Sequence, residues 1–256
     1  MSLTVEGVVV RFGGITAVDG VGLKLDPGRI VSVIGPNGSG KSTVFNAISG
    51  LVEMQAGAIA IDGTDIVPKS ATERVQAGLA RTFQTPRFDP QIDVRTAVTC
   101  GFYPRLRAQL LSSMLRTPAI RRDEREAHAE YESIARALGL LFLSEVSLGE
   151  LPMGQIRLVE VARAIAAKPR YLLLDEPAAG LSSAEQDILA ATIRAMARKG
   201  IGVLLVEHNF ELVKNLAEHV VVLNRGKLLA EGPADAIAKD PQVINIYLGA
   251  EANKAA

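Results

Sequence analysis

Residues 35–43 read Gly35-Pro36-Asn37-Gly38-Ser39-Gly40-Lys41-Ser42-Thr43 and fit the pattern G-x-x-x-x-G-K-[ST]. The pattern carries meaning only between a strand and a helix, and the aliphatic run Ile30–Ile34 supplies the strand. Glycines let a loop turn so that successive backbone N–H groups converge on phosphate oxygens. A helix starting near Lys41 adds the positive end of its dipole. The segment is therefore a candidate cradle for a nucleoside triphosphate. Lys41 would reach the β and γ phosphates, and Ser42 would ligate Mg2+.

Such a cradle needs a carboxylate opposite it. Tyr171-Leu172-Leu173-Leu174-Asp175-Glu176 is an apolar strand that ends in an acidic pair. Asp175 is the expected holder of the Mg2+ shell, and Glu176 can take a proton from an attacking water or polarise it. Three more features lie around these motifs. Gln84 falls in Ala80-Arg81-Thr82-Phe83-Gln84-Thr85, where strand character gives way to helix. Leu151-Pro152-Met153-Gly154-Gln155 opens a helix upstream of the acidic strand, and His208 follows the strand Gly202–Val206. Singly, these read equally well as a surface glutamine, a turn and a capped or partly buried histidine. Their order around the two phosphate motifs makes them a set.

The elements that must position these residues are legible in outline. Val8–Phe12, Val21–Leu25, Ile30–Ile34 and Ala58–Ile61 carry β-branched residues between turn signals such as Asp26-Pro27-Gly28 and Asp62-Gly63. From Pro86 to about Ala167 the pattern is helical. Tyr131, Ile134, Ala135 and Leu138 form one apolar stripe opposite a charged face running from Arg121 to Arg136. Leu158, Val161, Ala162 and Ile165 form another, and Pro152 suits the first turn of that helix because its missing N–H needs no partner there. Unalternating aliphatic runs return at Tyr171–Leu174, Gly202–Val206 and His219–Leu223, with a helix at Ala184–Arg198 between the first two. Runs of this kind suit a parallel sheet covered on both faces. The expected fold is α/β: a P-loop NTPase core, a mostly parallel sheet flanked by helices, with an antiparallel β part and an inserted α-helical lobe. The chain reads as a single domain over 1–256, its core formed by 1–85 and 166–256 and its helical subdomain by 86–165.

Composition narrows the function. The 256 residues are enough for a substantial core without disulfide or metal. Lys+Arg and Asp+Glu balance at 28 each, which argues against holding nucleic acid by bulk charge and removes a repulsion that discourages self-association. Hydrophobic residues make up 48% but aromatics only 4%, with no Trp, so the core is aliphatic. The single cysteine, Cys100, cannot form an intrachain disulfide, which fits a reducing compartment; it reads as a buried small hydrophobe. His128 and His219 read as surface or helix-end residues. Met1–Thr16 has no basic region followed by an apolar stretch, and no window approaches about 18 unbroken apolar residues. The expectation is a cytosolic protein that any membrane work reaches through a partner.

Taken together, the motifs resemble the nucleotide-binding subunits of ABC transporters almost from end to end. The resemblance implies ATP and Mg2+ as ligands, with Ser42, Gln84 and Asp175 at the metal. Lys41, Gln84, Glu176 and His208 would carry catalysis, Gln84 also linking the site to a membrane partner and His208 contacting the γ-phosphate. Phe12 stands where an aromatic commonly stacks on adenine in the family, with core packing as its other reading. Gly154 and Gln155 would meet the nucleotide in trans, from a second ATPase subunit that is either a copy or a paralogue. Two departures stand out. Pro152 and Met153 replace the Ser and Gly of L-S-G-G-Q, removing one hydroxyl contact to the γ-phosphate, and Ser182 replaces the usual Asp of Ala178-Ala179-Gly180-Leu181-Ser182.

Within the family, Ala80–Pro86, the insertion around Leu110–Glu126 with Leu115-Arg116-Thr117-Pro118, Asp175–Leu181 and the tail Glu231–Gly249 resemble importers of branched-chain and related hydrophobic amino acids or amides. That resemblance implies integral membrane permease subunits, a periplasmic solute-binding protein met only indirectly, and a place on the cytoplasmic face of the bacterial inner membrane. Arg87, Phe88 and Pro90, just after Gln84, would transmit motion to the permease. The other readings are a lipopolysaccharide-transport ATPase, a soluble non-transport ABC ATPase, and a nucleotide-gated scaffold with little hydrolysis.

Overall fold

The computed structural model of the chain describes residues 1–86, 88–103 and 118–252. Two long antiparallel strands come first, β1 (Leu3–Phe12) and β2 (Ile15–Leu25). Both extend well before the runs Val8–Phe12 and Val21–Leu25 that the sequence marks. Irregular pairing between Val5 and Val8 absorbs the Glu6-Gly7 break in alternation, so the ladder continues past it. There follow β3 (Ile30–Ile34), α1 (Lys41–Ser49), β4 (Ala56–Ile61), the two-residue β5 (Thr64–Asp65), α2 (Ala71–Gln76) and β6 (Leu79–Arg81). The next described stretch is helical, with α3 (Val94–Thr99), α4 (Pro118–Ala137) and α5 (Met153–Ala166). Then come β7 (Tyr171–Asp175), α6 (Ser183–Arg198), β8 (Gly202–Val206), α7 (Phe210–Leu216), β9 (His219–Asn224), β10 (Lys227–Gly232), α8 (Ala234–Ile237) and α9 (Pro241–Ala252).

The strands form two sheets. A six-stranded sheet has the order β10-β9-β3-β8-β7-β6, parallel throughout except where β10 joins β9. A four-stranded antiparallel sheet has the order β2-β1-β4-β5. Every residue of β3, β7 and β8 is buried, as unalternating aliphatic strands between two layers should be. Their successive side chains face different cores. Leu172, Leu174, Val203 and Leu205 pack against the helices α3 to α7. Tyr171, Leu173, Leu204 and Val206 pack against α1 and the antiparallel sheet.

The stripe Tyr131, Ile134, Ala135 and Leu138 faces the core, as its spacing predicts. On α5 the burial is wider than one stripe, for Val159, Glu160, Ala164 and Ala166 are buried together with Leu158, Val161, Ala162 and Ile165. Two local expectations are corrected. Pro152 is the N-cap of α5 and not a first-turn residue; its φ of −63° suits either place, but its ψ of 151° is extended. Cys100 is exposed. Val94, Ala97, Val98 and Gly101 take the inward face of that segment at i, i+3, i+4 and i+7, which turns Cys100 away. Arg87 and Leu110–Thr117 of the insertion lie outside the described residues.

Candidate nucleotide site

Parallel strands of an open α/β sheet end along one edge, and ligands collect there. At that edge β3 leads into Gly35, β6 into Thr82–Gln84, β7 ends on Asp175, and β8 leads into Glu207 and His208. The cradle between β3 and α1 is built by backbone bonds, Ser39 N–H to the Pro36 carbonyl (3.1 Å) and Gly226 N–H to the Ser39 carbonyl (3.0 Å). Gly40, the N-cap of α1, has φ 104°, and a Cβ there would sit 2.7 Å from the Ala17 carbonyl oxygen. Only glycine fits that turn. No side chain caps α1, so its first amides are left for an anion. Lys41 Nζ donates to the carbonyls of Gly35 (2.8 Å) and Pro36 (3.0 Å), within the loop. Burial pushes its pKa down, opposed by the charges of Glu176 and Asp175.

The two adjacent carboxylates are held differently. Asp175 accepts a hydrogen bond on Oδ2 from Arg81 Nη2 at 3.0 Å, and its N–H donates to Thr82 Oγ1 at 3.0 Å. Its Oδ1 is buried with no hydrogen-bond partner. Burial raises the pKa of this carboxyl, and the Arg81 guanidinium pulls it back. Asp175 lines a cleft with Ser42 and Gln84, and a carboxylate with one unpartnered oxygen beside a hydroxyl and an amide is a donor set that suits Mg2+, an ion that takes hard oxygen ligands.

Glu176 has φ 48°, a left-handed conformation that costs a non-glycine residue about 1–3 kcal/mol and lasts only where the surroundings over-determine it. Here its N–H donates to the Val206 carbonyl (2.9 Å), and its own carbonyl accepts from Arg157 Nη1 of α5 (2.8 Å). The pinned backbone aims the side chain along the strand edge. Its Oε1 lies 2.7 Å from His208 Nε2, and its Oε2 accepts from Gln84 Nε2 at 3.1 Å. Two residues distant in sequence thus meet on the carboxylate of a third.

Phe12 ends β1 with 52% of its surface exposed, outside both cores, so core packing is not what it does. Gly154, in the first turn of α5, passes so close to the Gly180 carbonyl that a Cβ would lie 2.6 Å from it. No side chain caps α5, which leaves the Gly154 and Gln155 amides free of a local side-chain acceptor. Ser182 is the N-cap of α6 and shares a capping box with Glu185.

Sequence reasoning missed three structural carboxylate or guanidinium partners. Arg81 pairs with Asp175. Glu207, 4% exposed, accepts from the backbone N–H groups of Ala178 (2.8 Å) and His208 (3.2 Å), tying the loop after Glu176 to the histidine. Glu160, 1% exposed, accepts from the Phe83 N–H at 2.9 Å, tying α5 to the residue before Gln84. Glu160 interrupts an aliphatic run, and Arg81 and Glu207 directly follow one; those charges were the available signal.

Known proteins place the chain. The family model described as ABC transporter matches residues 18–179, and one described as branched-chain amino acid ATP-binding cassette transporter matches residues 227–253. The chain is 39% identical over 248 residues to the high-affinity branched-chain amino acid transport ATP-binding protein BraF of Pseudomonas aeruginosa, covering 96% of this chain and 97% of that protein. To LivG of Escherichia coli, described in the same words, it is 36% identical with the same coverage. The ADP conformation of MJ1267, an ATP-binding cassette of an ABC transporter, superposes with a TM-score of 0.82 at 32% identity, covering 97% of this chain and 99% of that one. The cradle and the acidic strand end both lie within the matched segment, and the likeness to these relatives runs nearly end to end: the chain belongs to the ABC transporter family, as one of its ATP-binding proteins.

Proposed function

We propose that this chain binds and hydrolyses MgATP to power an importer of branched-chain or related hydrophobic amino acids or amides. For hydrolysis, the observation that carries the reading is the convergence of His208 and Gln84 on the Glu176 carboxylate. For the solute class, support comes from BraF and LivG together with the matched tail.

Residues 35–43 hold the triphosphate, the backbone amides at the start of α1 taking its oxygens and Lys41 exchanging its loop carbonyls for the β and γ phosphates. Ser42, Asp175 and Gln84 would hold Mg2+, which would supply positive charge against that developing on the phosphate oxygens. Glu176 accepts a proton as water attacks the γ-phosphorus and the bond to ADP breaks. His208 and Gln84 keep that carboxylate aimed, and His208 contacts the γ-phosphate. Phe12 offers its exposed ring to adenine.

A second ATPase subunit, a copy or a paralogue, completes each site with its Gly154 and Gln155 amides, the free end of a helix being suited to phosphate. Segment 86–165 acts as a helical subdomain against a core of 1–85 and 166–256, and Phe88 and Pro90 pass its movement to integral membrane permease subunits. A periplasmic binding protein delivers the solute without touching this chain. Among the described residues no helix is long and apolar enough to cross a membrane, and the proposed place is peripheral, on the cytoplasmic face of the inner membrane.

The test is genetic and biochemical together. Deletion of the gene is expected to abolish high-affinity uptake of radiolabelled leucine, isoleucine or valine, with restoration by the wild type and not by Glu176→Gln. The wild-type chain is expected to copurify with an integral membrane permease. Intact uptake with a damaged outer envelope would move the chain to lipopolysaccharide transport; no membrane partner at all would move it to the soluble ATPases.

A further inference from the structure

The proposed chemistry assigns no task to Arg81, yet its guanidinium joins the two halves of the site. The side chain is 7% exposed, and that of its partner Asp175 is 2% exposed. Nη2 donates to Asp175 Oδ2 at 3.0 Å, and Nη1 donates to Asn46 Oδ1 at 2.7 Å and to Ser49 Oγ at 3.3 Å. The guanidinium carbon lies 5.5 Å and 5.2 Å from the ring centroids of Phe45 and Phe83, within cation–π range. A buried ion pair is weak support for stability, because desolvation offsets much of the attraction. Its geometry is the more informative property.

Guanidinium is a rigid planar fork, so bonds made by its two ends fix the separation of their acceptors. Here the acceptors are Asn46 on α1 and Asp175 at the end of β7. Ser42 stands one turn before Asn46 on the same face of α1, and both line the cleft with Asp175. Two of the groups proposed to hold Mg2+, Ser42 and Asp175, therefore stand on the two elements that Arg81 ties together. The fork also takes only one oxygen of Asp175. Oδ1 is left buried and without a hydrogen-bond partner.

We infer that Arg81 is a positioning residue for the metal: by tying Asp175 Oδ2 to the cleft face of α1, it presents Asp175 Oδ1 and Ser42 to Mg2+ at a set distance. The inference rests on the proposed function. Residues that orient metal ligands typically change metal affinity by about 10–100-fold when lost. A lysine at 81 keeps the charge but, as a point donor, cannot bridge both acceptors in fixed geometry.

The test follows a fluorescent, non-hydrolysable ATP analogue binding to the purified full chain, once in EDTA and once in a Mg2+ titration. Arg81→Met is expected to bind the analogue in EDTA within about twofold of wild type while its Mg2+ midpoint rises by about tenfold or more. Arg81→Lys is expected to give a midpoint between that of Arg81→Met and wild type. If Arg81→Met does not fold, as judged by circular dichroism, Arg81→Lys decides alone: a raised midpoint supports the role and an unchanged one overturns it. A Mg2+ midpoint unaltered in a folded Arg81→Met overturns the inference alone, as does an equal loss of affinity in EDTA. Wild-type protein that binds the analogue no better in Mg2+ than in EDTA would instead overturn the proposed metal site, and the inference with it.

Discussion

His208 Nε2 stands 2.7 Å from Glu176 Oε1, although 32 positions separate the two residues. The contact exists because β7 and β8 are parallel neighbours, with Asp175 opposite Val206, so the residues that follow each strand emerge side by side. The histidine backbone is fixed in turn by Glu207, which also holds the Ala178 N–H.

If Glu176 is the proton acceptor and His208 its support, the two variants should differ in degree. Glu176→Gln should lower steady-state phosphate release by about 10²–10⁴-fold, the usual worth of a general base, while ATP-analogue affinity stays near wild type. His208→Ala should also lose turnover with little change in KM. Glu176→Gln with saturating ATP should form a dimer by light scattering; a strictly monomeric variant would count against closure of two such chains around the nucleotide.

The parts of the site that could be read from sequence are the local ones. The cradle at 35–43 needs only its own glycines and one adjacent strand, and the run Tyr171–Leu174 announces both its burial and the acidic residues that follow. Even Gln84 and His208 stood out, through their order along the chain. Arg81, Glu160 and Glu207 did not, because their meaning lies in partners reached only across the fold: Asp175, Phe83 and Ala178. A charged residue inside an apolar run says that a partner must exist, and only the sheet order says which. Three strands are absent from the sequence outline: β5 and β6 are too short for periodicity, and β10 is an edge strand with no buried residue to mark one face. Cys100 has a type that suggests burial, but as the C-cap of α3 it stands off the inward face.

Gly154→Ala tests the close approach of α5 to the loop before α6. The added Cβ would lie 2.6 Å from the Gly180 carbonyl oxygen and 3.1 Å from Leu181 Cδ2, and the first of these is backbone that cannot swing aside. Overpacking of this kind costs about 1–3 kcal/mol, and the displaced loop connects Glu176 to α6. A lowered Tm with slower phosphate release is expected. Wild-type values for both would show that the two segments yield freely.

Phe12→Ala separates base stacking from folding. The ring is 52% exposed and belongs to neither core, so thermal stability should change little. Nucleotide affinity should weaken by about 0.5–1.5 kcal/mol, the worth of an aromatic pair, and Phe12→Tyr should restore it. Equal affinities for ATP and for inorganic triphosphate in the wild type would remove the ring from recognition.

Ser182 takes a structural role through its capping box, and that role has a pH signature. Its side chain accepts from the Glu185 N–H, and Glu185 Oε2 accepts from both the N–H and the hydroxyl of Ser182, each at 2.8 Å. The backbone bond from Ser182, with its hydroxyl second, holds the Glu185 carboxyl below its ordinary range. A depressed folded-state pKa stabilises the protein at pH values above the unfolded-state value, about 4.3 for glutamate, and the benefit disappears as pH falls through the folded-state value. Loss of a serine N-cap costs about 1 kcal/mol. Ser182→Ala should therefore be less stable than wild type by about that amount in urea at pH 7, and the gap should narrow as Glu185 protonates in acid. Glu185→Gln, which keeps a hydrogen-bond acceptor without the charge, should show a smaller gap at pH 7 that closes in the same direction. A Ser182→Ala deficit that stayed constant down to pH 3 would assign the effect to the hydroxyl alone and leave the carboxylate no part in the cap.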